Sequence, residues 1–353
     1  MSYKPSIALH PGKTLALTIE RASMSQIDLS QRTGISEKHI SHIMNGKTVI
    51  TLDTALKLER VLGGNADFWI NLENQYQENK ARLKQEEQLK KEIIIMKEYP
   101  YLELSKTGAV KKTIDNKEKV DNLLNFFAVD SLSFVLKTEA IAFKKTNTDK
   151  ISKESLAAWL RFGEIEAKKQ EVNKFDKNKL KKKIDELKKL THLPNNFSEQ
   201  IRKICAECGV KVLFTPYLKN TYVNGAVRWV GDNPVIQLTI RYKYSDIFWF
   251  TFLHEVGHIL LHGKTDQFID FNEKIKRSSK KEKEADKFAS NTLIDYNEYK
   301  NFVSQNDFKN IQIKTFAKKL DVDPGIVAGR LAHDKLVDWS SVCYLRKKLE
   351  IKR

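Results

Sequence analysis

The stretch from Phe248 to Gly263 reads FWFTFLHEVGHILLHG. Its apolar residues do not alternate and contain no proline or glycine turn, which predicts a buried helix ending in a glycine cap at Gly263. His254 and His258, four residues apart, then lie on one face of the helix, as two ligands of one zinc ion must. Glu255 is rotated about 100° from His254, close to a metal-held water but turned too far to be a natural third ligand.

This spacing is the HExxH motif, in which two imidazole nitrogens hold a zinc ion (Zn2+) and the carboxylate accepts a proton from the attacking water. The ion lowers the pKa of that water toward about 7 and polarises the carbonyl under attack. The five-residue HExxH pattern occurs by chance in roughly one chain in a hundred of this length. However, two imidazoles and a carboxylate are costly to bury in an apolar helix, which favours a metal site over satisfied core histidines.

Length and composition limit the number of domains and the class of protein. At 353 residues the chain is long enough for two or three domains. Its formal net charge of +17 suits a polyanionic partner, although lysine-rich solvated helices would give the same total. Only three cysteines occur, which argues against a secreted disulfide scaffold. The start of the chain has no signal-peptide core and no apolar run could span a membrane, so we expect a soluble cytoplasmic protein without a membrane partner.

Residues 1–77 have the pattern of a helix-turn-helix DNA-binding domain. Ser25 and Ser36 are predicted to cap two short helices with a tight turn at Gly34 between them, and a further helix starts at Thr51. The two short helices are predicted at Gln26–Arg32 and Glu37–Met44. A small helical bundle without DNA is the alternative.

The second of these helices is expected to lie in the major groove of operator DNA. Gln26, at a helix start, would hold a phosphate. The residues predicted to face the groove are Ser36, Glu37, Lys38, His39, Ser41 and His42.

A family resemblance covers almost all of this unit. It rests on HPGK at 10–13, SEKHISHIMNGK at 36–47, TLDTALKL at 51–58 and FWINL at 68–72. These stretches resemble the DNA-binding domain of HigA-type antitoxins. The resemblance implies a transcriptional autorepressor that forms a homodimer on a palindromic operator and binds a cognate toxin.

The next two segments carry no catalytic pattern. Residues 78–100 belong to a polar, charge-mixed helix, Gln75–Met96, and are interpreted as a helical connector ending near Pro100. Residues 101–197 are interpreted as a helical middle region, in which Lys179–Leu190 is predicted to be one helix with solvated lysines. Its apolar stripes are Val120, Leu123, Leu124, Phe126 and Phe127, and Leu156, Trp159, Leu160 and Ile165.

Residues 198–353 are interpreted as a metallopeptidase domain with a C-terminal helical hairpin. Short β-branched runs separated by turn sequences predict a small sheet before the HExxH helix. The predicted strands are Val210–Thr215, Gly225–Val230 and Val235–Ile240. An edge strand of such a sheet can pair with an extended peptide above the metal. Cys205 and Cys208 are interpreted as helix-face thiols rather than a metal or redox pair.

The HExxH helix does not itself supply a third metal ligand. His262 lies about 12 Å along the helix axis from His254, too far for both to bind one ion together with His258. The longer HExxHxxGxxH pattern also fails, because Leu261 stands in place of the glycine and Lys264 in place of the last histidine.

The third ligand is therefore predicted from a second helix, KEKEADKFA at 281–289. Glu282 and Asp286 lie four residues apart on its inward face, so Glu282 can bind zinc while Asp286 orients a ligand histidine. Glu284 is the alternative ligand. Another interpretation is that these acidic residues bind no metal and only stabilise the positive end of the helix dipole.

Residues 226–294 resemble the ImmA/IrrE family of metallopeptidases. The matching stretches are GAVRW at 225–229, PVIQL at 234–238, DIFWF at 246–250, HEVGH at 254–258 and EKEADKFA at 282–289. The resemblance implies that His254, His258 and Glu282 hold zinc and that Glu255 is the general base. It also implies that the protein cleaves or inactivates a DNA-bound repressor and so relieves repression. The chain departs from the family with NTLI at 291–294, where a Leu-Leu-Met-Pro ending is usual.

The fold class expected from these patterns is α+β and mainly helical, with an N-terminal helix-turn-helix bundle followed by a zincin-like domain that has a small sheet and an HExxH helix. The expected enzyme is a gluzincin-like zinc metalloendopeptidase. The expected function is a DNA-binding antitoxin that carries a zinc endopeptidase and cleaves a repressor, a toxin or itself. The alternative is an antitoxin-type repressor whose metallopeptidase-like domain only binds a partner or stabilises the protein. Arg330 and His333, in the predicted C-terminal hairpin, are candidate oxyanion donors that no pattern places near the zinc.

Overall fold

The computed structural model describes residues 7–138, 150–193, 196–239, 244–264, 268–271 and 280–349. The chain divides into two compact units, Met1–Ile94 and Ile95–Arg353. The described part is mainly helical with a small mixed sheet, which confirms the predicted α+β class. Within it, no helix is both long and apolar enough to cross a membrane. The four-part division of the sequence stays a prediction.

The first unit is built from helices. They are α1 (Pro11–Arg21), α2 (Gln26–Thr33), α3 (Glu37–Met44), α4 (Leu52–Leu62) and α5 (Ala66–Met96). The predicted caps are confirmed: the Ser25 hydroxyl accepts from Asp28 N, the Ser36 hydroxyl from His39 N, and Gly34 ends α2 in the left-handed region at φ 69°. The buried core of the unit includes Leu15, Leu29, Ile40, Leu58 and Trp69. Helix α5 extends the predicted connector helix back to Ala66.

The second unit begins with helices and includes a four-stranded sheet. Its helices before the sheet are α6 (Tyr101–Lys106), α7 (Asn116–Phe127), α8 (Val135–Thr138), α9 (Lys153–Lys169), α10 (Lys177–Lys182), α11 (Ile184–Lys189) and α12 (Phe197–Glu207). Short 3-10 turns lie at Leu132–Phe134 and Leu190–His192. Its helices after the strands β1 to β3 are α13 (Ser245–Leu261), α14 (Lys280–Leu293), α15 (Tyr296–Ser304), α16 (Asn310–Lys319), α17 (Pro324–His333) and α18 (Trp339–Val342), followed by a 3-10 turn at Cys343–Leu345.

The single helix predicted at Lys179–Leu190 is wrong, because the structure interrupts it at Lys183. The Lys183 N–H lies 3.2 Å from the carbonyl oxygen of Lys179 and 3.1 Å from that of Leu180. The turn therefore tightens toward 3-10 geometry at this residue. Leu180 and Leu187, one on each side of the break, are both fully buried.

The sheet has the order β1-β3-β2-β4. The strands are β1 (Lys211–Thr215), β2 (Val223–Val230), β3 (Asn233–Thr239) and β4 (Phe268–Phe271). β1 is parallel to β3, whereas β2 is antiparallel to both of its neighbours. Three strands were expected and are confirmed, except that Ile240 lies outside the described residues. β4 was not predicted, since four residues are too few to show a period.

Helix α13 carries the HExxH motif through the middle of the second unit. All of its residues except Ile247, Phe250 and Leu261 are buried, which explains why its apolar residues show no one-sided pattern. It packs against β2, β3, α14 and α17. The predicted glycine cap at Gly263 is wrong: the helix ends at Leu261, and His262 follows in an extended conformation with φ −113° and ψ 160°.

The end of the chain is tied to the start of α13. The Ser245 N–H donates to the carbonyl of Lys347 at 2.9 Å. Arg346 donates from Nε and Nη2 to Asp246 Oδ2, both at 2.9 Å. Its guanidinium lies between the rings of Tyr244 and Trp339, at 4.2 and 4.5 Å from their centroids. The C-terminal segment therefore fixes the first turn of the motif helix.

Candidate metal centre

Helix α13 presents His254 and His258 on one face, as the four-residue spacing predicts. Their side chains are 3% and 1% exposed, and their Nε2 atoms lie 3.0 Å apart. Two ring nitrogens are therefore directed at the same point inside the unit.

Helix α14 adds a carboxylate at this point. Glu282 Oε2 lies 3.2 Å from His254 Nε2 and 3.5 Å from His258 Nε2. The helices approach closely because Gly257 has no side chain: a Cβ there would lie 3.0 Å from Phe288 Cδ1 and 3.4 Å from Ala285 Cα. Among the described residues, His254, His258 and Glu282 form a group able to offer three ligand atoms to one ion.

The three atoms have the separations expected of zinc ligands. Bonds of roughly 2.0–2.1 Å meeting at tetrahedral angles place neighbouring ligand atoms roughly 3.3 Å apart, and the three separations here run from 3.0 to 3.5 Å. His254 donates a proton from Nδ1 to Asp286, so its Nε2 lone pair faces that of His258. Two ring nitrogens and a carboxylate at this distance need a proton or a metal cation between them, and the types and separations of these ligand atoms fit a zinc ion.

Charge around His254 supports the same conclusion. Burial alone would lower the pKa of this imidazole, but hydrogen bonds to Asp286 and Glu282 raise it to about 11. Burial alone would raise the pKa of Glu282, but its hydrogen bonds with His254 and His258 lower it to about 2. Burial lowers the pKa of His258. The centre favours a positive charge between the rings, and a bound cation would displace any proton there.

Glu255 is a fully buried carboxylate beside the centre. Neither of its oxygens has a hydrogen-bond partner among the described residues, and burial raises its pKa well above the usual range. Room for the carboxylate comes from Gly225 on β2, where a Cβ would overlap Glu255 Oε1. Because Glu255 is not one of the three grouped residues, it remains available to exchange a proton.

The alternative ligand, Glu284, has a different contact. Its Oε2 lies 3.1 Å from His262 Nε2, and His262 Nδ1 lies 3.0 Å from His258 Nδ1. The structure therefore places Glu282 with the two motif histidines and Glu284 behind them. Helix geometry excluded His262 as a third ligand, and in the structure it contacts Nδ1 of His258, the nitrogen that faces away from Glu282. The roles of these residues stay predictions.

Asp270 on β4 lies near the centre and was not identified from the sequence. Its Oδ2 accepts from Asn224 Nδ2 at 3.2 Å, and burial raises its pKa to about 6. Its charge acts on both His254 and Glu255. No sequence pattern could have indicated it, because β4 was not predicted and the residue has no fixed spacing from the motif.

Arg330 and His333, the candidate oxyanion donors, lie on α17. Arg330 Nε donates to Asp334 Oδ2 at 2.7 Å, and His333 Nδ1 lies 3.1 Å from Asp334 Oδ1. The structure gives both side chains the same carboxylate partner, Asp334, and their role as oxyanion donors stays a prediction.

The residues predicted to contact DNA lie on α2 and α3. Gln26, Glu37 and Lys38 are exposed, whereas His39, Ser41 and His42 are half-buried. Ser36 is exposed but uses its hydroxyl to cap α3. Ile40 and Ile43 face the core, so the predicted set occupies the opposite side of α3. Contact of these residues with DNA stays a prediction.

The three cysteines have free thiols. Cys205 on α12 and Cys208 just after it are buried, and burial raises the pKa of both thiols. This agrees with packed thiols rather than a reactive pair.

Comparisons with known proteins agree with the two-unit organisation. Residues 17–69 match the helix-turn-helix family, and residues 205–332 match a peptidase family described as the IrrE N-terminal-like domain. The "Virulence-associated protein I" of Dichelobacter nodosus is 34% identical over 90 residues, which cover 25% of this chain and 79% of that protein. A solved addiction module antidote protein of a HigA family from Coxiella burnetii is 34% identical, over 24% of this chain and 94% of that one, with a TM-score of 0.23. The first unit therefore belongs to the helix-turn-helix family, and the second unit contains a segment, residues 205–332, that is similar to the IrrE N-terminal-like domain.

Proposed function

We propose that this protein is a DNA-binding regulator of the antitoxin type whose second unit is a zinc-dependent endopeptidase acting on a protein partner. The observation that carries the proposal is the convergence of His254, His258 and Glu282 beside a buried Glu255 that has no hydrogen-bond partner among the described residues. A core helix that needed no metal would satisfy these polar groups within the protein.

His254, His258 and Glu282 would hold the zinc ion, with Asp286 fixing the proton of His254 on Nδ1. When bound, zinc supplies a water whose pKa is lowered toward about 7 and a positive charge that polarises the scissile carbonyl.

Glu255 would accept the proton released when water attacks the carbonyl and return it to the leaving amine nitrogen. Its burial supports this role, because a carboxylate in a poorly solvated site binds a proton more tightly than one in water. Glu255 follows the proposed ligand His254 by one residue, so it would lie beside a bound ion without binding it.

An extended segment of the substrate would bind along β4. Among the described strands, β4 is at the end of the sheet and pairs with β2 on one side, so its other side would pair with a peptide. Phe268, at its start, stacks on His258 with ring centroids 3.9 Å apart. A peptide on β4 would therefore be held beside the metal centre.

The first unit would bind operator DNA as a homodimer, with the exposed face of α3 in the major groove. The protein partner would be a cognate toxin, a repressor or the chain itself, and all of these place the protein in the cytoplasm. Cleavage would then change the amount of a DNA-binding or toxic protein.

The test compares the full-length protein with Glu255→Gln, using the proteins encoded beside it as substrates. We expect one zinc per chain in both proteins, and cleavage of a partner by the wild type only. Glu298→Gln is the matched control, because Glu298 lies on α15 in an exposed ion pair with Lys319. Equal cleavage by wild type and Glu255→Gln would overturn the peptidase assignment and favour a partner-binding module.

A further inference from the structure

His258 has a second contact that the proposed reaction does not use. Its Nδ1 lies 3.0 Å from His262 Nδ1, and His262 Nε2 lies 3.1 Å from Glu284 Oε2. The His262 side chain is 4% exposed, so water does not replace these contacts. The three residues form a hydrogen-bonded chain from the outside of α14 to the metal centre, called here the Glu284–His262–His258 chain.

The positions of the protons in this chain follow from its ends. The carboxylate oxygen of Glu284 is a hydrogen-bond acceptor, so His262 must carry its proton on Nε2 to donate to it. The Nδ1 of His262 is then an acceptor, and only a proton on Nδ1 of His258 can complete the second hydrogen bond. A neutral His258 protonated on Nδ1 has its Nε2 lone pair free. That lone pair is the one directed at Glu282 and His254.

The opposite arrangement is unfavourable. If His262 Nδ1 donated to His258, its bare Nε2 would face the Glu284 carboxylate as a second acceptor at 3.1 Å. His258 would then carry its proton on Nε2, where it blocks binding of an ion. Glu284 therefore selects the one arrangement that permits metal binding.

Stacking holds the two rings in place. Phe268 lies nearly parallel to His258, at 14° and 3.9 Å between centroids, and also contacts the ring of His262 at 5.1 Å. Asp286 plays the corresponding part for His254 through one hydrogen bond at 3.0 Å. Each motif histidine thus has a carboxylate partner on α14. Asp286 bonds to His254 directly, whereas Glu284 reaches His258 through the imidazole of His262.

We propose that His262 and Glu284 are positioning residues that set the tautomer of His258 and thereby strengthen metal binding. This inference rests on the proposed metal site. It assigns a function to the residue that the helix geometry excluded as a ligand and to the glutamate that was the alternative ligand.

The first test measures zinc affinity of the full-length protein by competition with a chromophoric chelator. His262→Phe keeps a ring against Phe268 but removes the acceptor, and it should weaken zinc binding by roughly 10–100-fold. His262→Asn places an amide oxygen near the position of Nδ1 and should restore most of the affinity. Equal affinity of His262→Phe and the wild type would overturn the proposal.

A matched pair of charge-neutralising variants tests the other end of the chain. Glu284→Gln should also weaken zinc binding, because an amide can present either a donor or an acceptor to His262 and no longer selects one tautomer. Glu298→Gln, an identical change of a half-exposed glutamate in a surface ion pair, should bind zinc like the wild type. Circular dichroism of all variants verifies that they fold, so a loss of affinity is not a loss of structure.

A second measurement reports the tautomers directly. In zinc-loaded wild type, nitrogen-15 correlation spectra should show His258 protonated on Nδ1 and His262 on Nε2. His262 protonated on Nδ1 would contradict the proposal. If the wild type binds no zinc at all, the proposed function fails with it; if the wild type binds zinc and the variants bind it equally well, only the role of the Glu284–His262–His258 chain fails.

Discussion

The Glu255 carboxylate packs against Gly225, and only a residue without a side chain leaves room for it there. A Cβ at position 225 would overlap the Glu255 carboxylate, which is fully buried and cannot move into solvent. We expect Gly225→Ala to destabilise the protein by about 1–3 kcal/mol, the usual cost of overpacking. Urea unfolding of the full-length protein measures this change.

The double variant Gly225→Ala/Glu255→Asp is the control for this prediction. Aspartate is one methylene shorter, so the overlap is relieved and the two changes should not be additive. A double variant as unstable as the sum of the single ones would show that position 225 does not limit the room for Glu255.

Asp270 should make the stability of the metal-free protein depend on pH. Burial raises its pKa from 3.8 to about 6, so the native state binds more protons than the unfolded state between these values. The stabilisation of the native state by Asp270 is therefore fully present below about pH 4 and is lost as the pH rises through about 6. At about 1.4 kcal/mol per pKa unit the full loss is roughly 3 kcal/mol.

The variant Asp270→Asn isolates this contribution, because other titrating groups act equally in both proteins. The unfolding free energy of the wild type minus that of the variant should fall by up to roughly 3 kcal/mol between pH 4 and pH 7. A difference that is constant with pH would contradict the assignment of a raised pKa to Asp270.

At the scale of elements, the first turn of α13 depends on the C-terminal segment. Asp246 and Arg346 are each 9% exposed and pair with one another. Arg346→Met should cost about 3–5 kcal/mol, because it leaves a buried carboxylate without its partner. Lys319→Met breaks the exposed pair with Glu298 and should cost about 1 kcal/mol or less. Thermal unfolding compares the two, and equal losses would show that the C-terminal segment does not stabilise α13.

The elements that could be predicted are those whose local chemistry decides their structure. Ser25, Ser36 and Thr51 cap helices from their own side chains, so the bounds of α2 to α4 follow closely from the sequence. Glu282 could be placed with the motif histidines because helical spacing fixes which residues share a face.

The elements that could not be predicted depend on distant parts of the chain. The end of α13 was misplaced because His262 adopts an extended conformation and needs no glycine to end the helix. β4 exists through pairing with β2 rather than through its own four residues. The contacts of His262 and Asp270 required α14 and β4 to be placed first, so their part in the centre could not be deduced from spacing.

At the scale of the whole molecule, the proposed DNA-binding helices and the proposed metal centre lie in separate units. The full-length protein should bind a DNA fragment from upstream of its own gene with an affinity that falls steeply with salt. The slope of log affinity against log salt is about −0.9 for each phosphate contacted by lysine or arginine. Removing metal with a chelator should leave this slope unchanged. An affinity that is flat between low and moderate salt would contradict operator binding by the first unit.

The zinc content of purified full-length protein after extensive dialysis tests the central claim most directly. His254, His258 and Glu282 converge on one point while Glu255 lies beside it. We therefore predict one zinc per chain in the wild type and in Glu255→Gln, and almost none in Glu282→Gln. Equal zinc content in all three proteins, or none in the wild type, would contradict the metal centre.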